Sequence, residues 1–223
     1  MLFLSSILVL LIAYALWHWK FKASDYPLPG GASFPTTSVA ILSILLGLLV
    51  WSQVQHRRLE SRLAEVATEL AGRPAPVNCE SFLEAWMPKR VWTMGYVSAE
   101  LTQVFLRHGV CGRLREVMDA PDPQSPFHST AVVVLAHEAM HVHGITNEAQ
   151  TECAAMQRAA KTAMLLGVAE PVAHELARAF WRVQYRQIRQ ANDDAYYSAE
   201  CRPNGALDEG LPYAPWDLGP SGD

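Results

Sequence analysis

"VVVLAHEAMHVHGITNEAQTEC", Val132 to Cys153, sets three histidines and three glutamates in one apolar, alanine-rich stretch. His137 and His141 stand at i and i+4, so on a helix their imidazoles leave the same face about one turn apart and both can grip one Zn²⁺ ion. Glu138 lies about 100° further round, outside the ligand set yet within reach of a water proton. The preceding "AVVVLA" predicts a buried helix, and Gly144 predicts its end.

A catalytic zinc takes a third protein ligand, and a second helix begins at once. Asn147 is its expected cap, and Glu148 and Glu152 again share one face. Glu148 is read as the third ligand. Glu152, one turn deeper, is read as a partner for the far nitrogen of a ligand histidine, with the exchange of these two roles left open. His143 stands about 240° round from His137 and cannot share its face unless the helix breaks first. His174 has no second histidine at ligand spacing and is read as an ordinary helix residue. Cys153 is read as a disulfide half-cystine rather than a ligand.

Around this stretch, 223 residues with half of them hydrophobic suffice for one good core. A net charge of -4 and a sequence pI near 6.1 provide no basic field, which sets nucleic-acid binding aside. The amino end holds two apolar runs, "LFLSSILVLLIAYALWHW" and "SVAILSILLGLLVWSQV", joined by the turn-rich "YPLPGGASFPTT". They predict transmembrane helices over 1–19 and 38–55 with a linker over 20–37. No Lys or Arg precedes the first run, as a signal peptide would require. Lys20 and Lys22 argue for one orientation and Arg57, Arg58 and Arg62 for the other. Cys79, Cys111, Cys153 and Cys201 all follow the runs, and an even set suits two disulfides in an oxidising, extracytoplasmic space. Three pairings are open, and Cys79 with Cys111 and Cys153 with Cys201 is the expected one.

Leu59, Leu63, Val66 and Leu70 form an amphipathic stripe ended by Gly72 and Pro74, read as a helical stalk over 56–76 that can pair two copies into a homodimer. The domain over 77–203 is expected to be mainly α with a small β-hairpin. "ESFLEAWM" and "VCGRLREVMD" read as helices, and "VWTMGYV" and "LTQVFLR" as the hairpin. "APDPQSPFHST" is a loop in which Ser129 or Thr130 caps the next helix, and "EPVAHELARAFWRVQYRQIRQ" is a long helix opened by Glu170 and Pro171. Residues 204–223 read as an irregular tail.

"HEAMH" followed by "NEAQTE" resembles the zincin metallopeptidases, and within them the gluzincins. "HEAMHVHG" also resembles the start of the metzincin pattern, but Asn147 stands where that group has a third histidine, and no Met-turn follows. More loosely, "GYV", the H-E-x-x-H, "NEAQTEC" and "ECRPNGALD" are similar to secreted or membrane-anchored bacterial zincin-like proteins. The resemblance implies an α+β zincin-like domain that hydrolyses a peptide or protein substrate with one Zn²⁺ held by His137, His141 and Glu148. Glu138 would be its general base, and Tyr185, Tyr196 or Tyr197 would steady the oxyanion. The hairpin near Gly95 would offer an edge strand to an extended substrate. The other reading is a non-catalytic zinc-binding scaffold of the envelope that binds a partner.

Overall fold

In a computed structural model the chain is described over residues 9, 11–14, 33–85, 93–120, 125–191 and 195–216. It divides into two units, Met1–Arg58 and Leu59–Asp223. The first expected span lies outside the described residues except for Val9 and 11–14.

The second expected span is part of one 39-residue helix, α1 (Ser33–Ala71). Its apolar part gives way to Ser52, Gln53 and Gln55 and then to His56, Arg57 and Arg58 before reaching the roughly 20 apolar residues that a span requires. Among the described residues no helix is long and apolar enough to cross a membrane, and this corrects the expectation of two transmembrane helices. The amphipathic stripe further along does not stand apart as a stalk. Leu59, Leu63, Val66 and Leu70 are buried in the second unit's own core, with Leu63 fully enclosed.

The second unit is mostly helical with a three-stranded sheet. Strand β1 (Val77–Cys79) runs parallel to β3 (Val104–Leu106), and β3 pairs antiparallel with β2 (Gly95–Val97), in the order β1-β3-β2. The hairpin is therefore only two of the sheet's three strands; β1, at three residues, is too short for alternation to mark it, and residues 91 and 92 lie outside the described range. The four-residue helix α2 (Phe82–Ala85) follows β1. Glu60 accepts from the backbone N–H of Cys79 at 2.9 Å and so ties β1 to α1.

Helix α3 (His108–Asp119) leads to α4 (Pro126–His143), the central element. Twelve of its residues are buried, because a helix apolar all round can only be satisfied in the middle of a core. Ser125, rather than Ser129 or Thr130, caps it: Ser125 Oγ accepts from Phe127 N–H at 3.3 Å with Pro126 opening the first turn. The hydroxyls of Ser129 and Thr130 are occupied inside that turn, both donating to Pro126 O.

Against α4 pack α5 (Glu148–Gln157), α6 (Ala159–Leu165) and α7 (Glu170–Ala179), and α7 continues as a π-helix (Phe180–Tyr185) into α8 (Arg186–Gln190). Two disulfides, Cys79–Cys111 and Cys153–Cys201, close the unit and suit an oxidising, extracytoplasmic space. Residues 204–216 contain no helix or strand, yet they are held. Gln157, fully buried, donates to Leu207 O at 2.8 Å and accepts from Glu209 N at 2.8 Å, and Arg158 forms a two-pronged ion pair with Glu209.

Candidate metal centre

Two local stops bring α4 and α5 face to face. Gly144 takes a left-handed conformation, φ 118°, that ends α4, and Asn147 Oδ1 accepts from Gln150 N–H at 3.0 Å to begin α5. The short link folds α5 back so that its first turn meets the last turns of α4.

There His137 and His141 pack edge to face, ring centres 4.7 Å apart. Their Nε2 atoms converge on one oxygen: Glu148 Oε2 lies 3.0 Å from that of His137 and 3.3 Å from that of His141. The other ring nitrogens are already engaged, His137 Nδ1 with Glu152 Oε2 at 2.8 Å and His141 Nδ1 with Ile145 O at 2.7 Å. A proton on each Nδ1 satisfies those acceptors and turns two Nε2 lone pairs towards the carboxylate of Glu148. Lone pairs facing a carboxylate repel unless a cation or further protons stand between them. One divalent cation meets the requirement of two imidazoles and a carboxylate at once. The residues therefore fit such an ion: His137, His141 and Glu148 place one ligand atom each within 4.8 Å of one another, the two histidines buried and the glutamate half-buried.

The remaining charge at the site is acidic. Glu138 is buried, and its Oε2 has no hydrogen-bond partner among the described residues. Burial, reinforced by the charges of Glu148 and Glu152 and opposed by His137, pushes its carboxyl up to about 7. Burial alone would lower the basicity of His137, but the carboxylates of Glu152, Glu138 and Glu148 outweigh it and raise it.

Glu138 opens onto a cleft of about 660 Å³ with largely apolar walls that include Phe127, Val133, Phe180, Val183 and Ile188. Gly95 on β2 forms the opposite wall. A Cβ at that position would lie 2.7 Å from Glu138 Oε1, so only glycine admits the carboxylate there. Tyr196 also lines the cleft, its ring 5.9 Å from that of His137. Tyr185 and Tyr197 lie elsewhere, their rings tilted against each other with centres 5.6 Å apart, and Tyr185 is tied to the backbone of Ser198.

No family model, curated protein or solved structure matches this chain.

Of the residues singled out in the sequence, His137, Glu138, His141, Glu148 and Glu152 come together. His143 faces away, its Nδ1 donating to Ala71 O at 3.0 Å, and His174 lies beside Glu170 and Tyr213. Gly95 was singled out only for its strand, not for its contact with Glu138. Nothing in residue spacing relates positions so far apart; the short "GYV" run, with a glycine where a strand would favour a side chain, is the one available signal.

Proposed function

We propose that the second unit is a zinc-dependent hydrolase of peptide bonds. One observation carries the reading: a buried carboxylate, Glu138, whose Oε2 has no hydrogen-bond partner among the described residues, lines an apolar cleft beside two histidines whose Nε2 atoms meet at Glu148. When bound, a zinc ion supplies Lewis-acid chemistry, acidifying water and polarising a carbonyl oxygen.

The chain's own groups do the rest. Glu152 and Ile145 O hold the Nδ1 protons of His137 and His141, which fixes both rings with Nε2 as the ligand atom. Glu138 Oε2 accepts the proton of the attacking water, retains it in its sheltered position, and returns it to the leaving amine nitrogen. A carboxyl that ionises near neutrality is matched to both transfers. Tyr196, which lines the same cleft with its ring 5.9 Å from that of His137, is the proposed hydrogen-bond donor to the oxyanion.

Substrate is aligned by β2, an edge strand. Met94 O and Ser98 N are spent on the β3 side, bonded to Arg107 N and Gln103 O, so the alternating ladder turns the backbone groups of Gly95 and Val97 to the open edge. An extended peptide adding there would pass directly over Glu138.

The test is Glu138→Gln. An amide cannot accept the water's proton, so the variant should retain zinc and fold while losing nearly all cleavage of a mixed peptide library followed by mass spectrometry. Zinc-loaded wild type that cleaves nothing in a broad library would favour instead a zinc-binding scaffold.

A further inference from the structure

On the far side of the π-helix lies a second cavity, of about 630 Å³, with a different chemistry. The π-helix divides its side chains: Phe180 and Val183 face the cleft of the metal centre, whereas Trp181, Arg182 and Tyr185 face this cavity. Arg182, Arg186 and Arg189 recur at spacings of four and three, which places three guanidinium stems on one helical face. Like charges so arranged destabilise a helix, and in a chain carrying more acids than bases the clustering calls for a reason. A fourth guanidinium, that of Arg202, comes from another segment and is pinned there by its neighbour Cys201 through the disulfide to α5.

Several other arginines of this unit are matched with acids, Arg107 with Glu80, Arg113 with Glu116, Arg158 with Glu209 and Arg178 with Glu175, whereas Arg73 donates to Leu101 O and the isolated Arg115 has no carboxylate partner among the described residues. Arg186, Arg189 and Arg202 are exposed and have no carboxylate partner among the described residues. The nearby carboxylate of Glu200 accepts from Ala206 N–H at 3.1 Å. Between the arginines stand Trp181, Tyr185 and Tyr197, with the Arg189 guanidinium 6.0 Å over the Tyr197 ring.

We propose that this cavity is a binding site for a ligand bearing two phosphoryl groups, distinct from the metal centre and independent of its function. Guanidinium forks match phosphoryl oxygens two at a time, and the three arginines without a carboxylate partner balance most of the charge of about -3 to -4 that two phosphoryl groups carry at neutral pH. One carboxylate would leave most of that charge unmatched. The aromatic walls supply flat surface for the part of the ligand that carries the phosphates.

The experiment is calorimetric titration of the full chain, with chelator present so that the metal centre takes no part, using inorganic pyrophosphate, citrate as a carboxylate of similar charge, and vesicles of phosphatidylcholine with or without phosphatidic acid. Pyrophosphate should bind, and Arg186→Gln and Arg189→Gln should each weaken it roughly tenfold, the loss of one charge-assisted hydrogen bond. Arg186→Lys, which keeps charge but not the fork, should fall between, and His137→Ala should bind as wild type does. Phosphatidic acid vesicles, which offer one phosphoryl group per headgroup, should bind more weakly than pyrophosphate. Four results would overturn the assignment: no binding of pyrophosphate, binding unchanged in both glutamine variants, citrate bound as tightly as pyrophosphate, or arginine-dependent binding of phosphatidic acid vesicles where pyrophosphate does not bind, which would assign the site to a lipid surface.

Discussion

Glu152 Oε2 and His137 Nδ1 are 2.8 Å apart in a buried contact, so the carboxylate dictates which nitrogen of the ring is left for a ligand. Removing the charge but not the shape, Glu152→Gln, should keep the fold and weaken zinc about 10 to 100-fold, the usual loss for a partner that orients a ligand. Glu148→Gln replaces the charged carboxylate proposed as a ligand with a neutral amide and should cost far more. Competition titration against a chromophoric chelator ranks the two, and the reverse order would exchange their roles.

Gly95→Ala probes the opposite wall. The new methyl would meet three side-chain atoms of Glu138 at 2.7 to 3.0 Å, and Glu138 has to turn aside. Zinc content should be unchanged, stability should fall by about 1 to 3 kcal/mol as in other overpacked sites, and peptide hydrolysis should fall with it. Hydrolysis at the wild-type rate would remove Glu138 from the proton's path.

The pH dependence of the metal-free chain follows from two groups with the same sign. Glu138 ionises at about 7 in the fold instead of its ordinary 4.5, so its contribution is full below 4.5 and is lost as pH rises towards 7. His137 is raised above 6.5, so its contribution is full below that value and is lost as pH rises through the higher one. Chelated protein should therefore melt at a lower temperature at about pH 8 than at about pH 5, whereas zinc, which needs unprotonated ligands, should raise the midpoint more at the higher pH. Melting curves with chelator and with zinc test both signs, and a chelated midpoint that climbs with pH would refute the assignment.

Cys153 follows Glu152 on α5, and its bond to Cys201 spans 48 residues. Serine at both positions should lower stability by about 2 to 5 kcal/mol in denaturant titrations. It should also loosen the segment after Cys201, read as faster proteolysis near Leu207, and proteolysis identical to wild type would show that Gln157 and Arg158 suffice to hold the tail. Peptide mapping without reduction checks the pairing itself.

What residue spacing determined here is local. The i, i+4 histidines, the glutamate between them, the stop at Gly144 and the cap at Asn147 are relations within one or two helical turns, where backbone geometry alone places side chains. The tertiary structure decided everything that joins distant segments. The Leu59–Leu70 stripe reads identically whether another chain or its own core covers it, and only the packed domain chooses the core. The apolar run of α1 gives way to polar residues within a single continuous helix, so no described helix is both long and apolar enough to cross a membrane. Gly95 against Glu138, Tyr196 against His137 and Arg202 beside the arginines of the π-helix and α8 all depend on how the sheet, loops and disulfides close around α4. Such contacts have no period, because their separation along the chain is set by intervening turns rather than by the pitch of any one element.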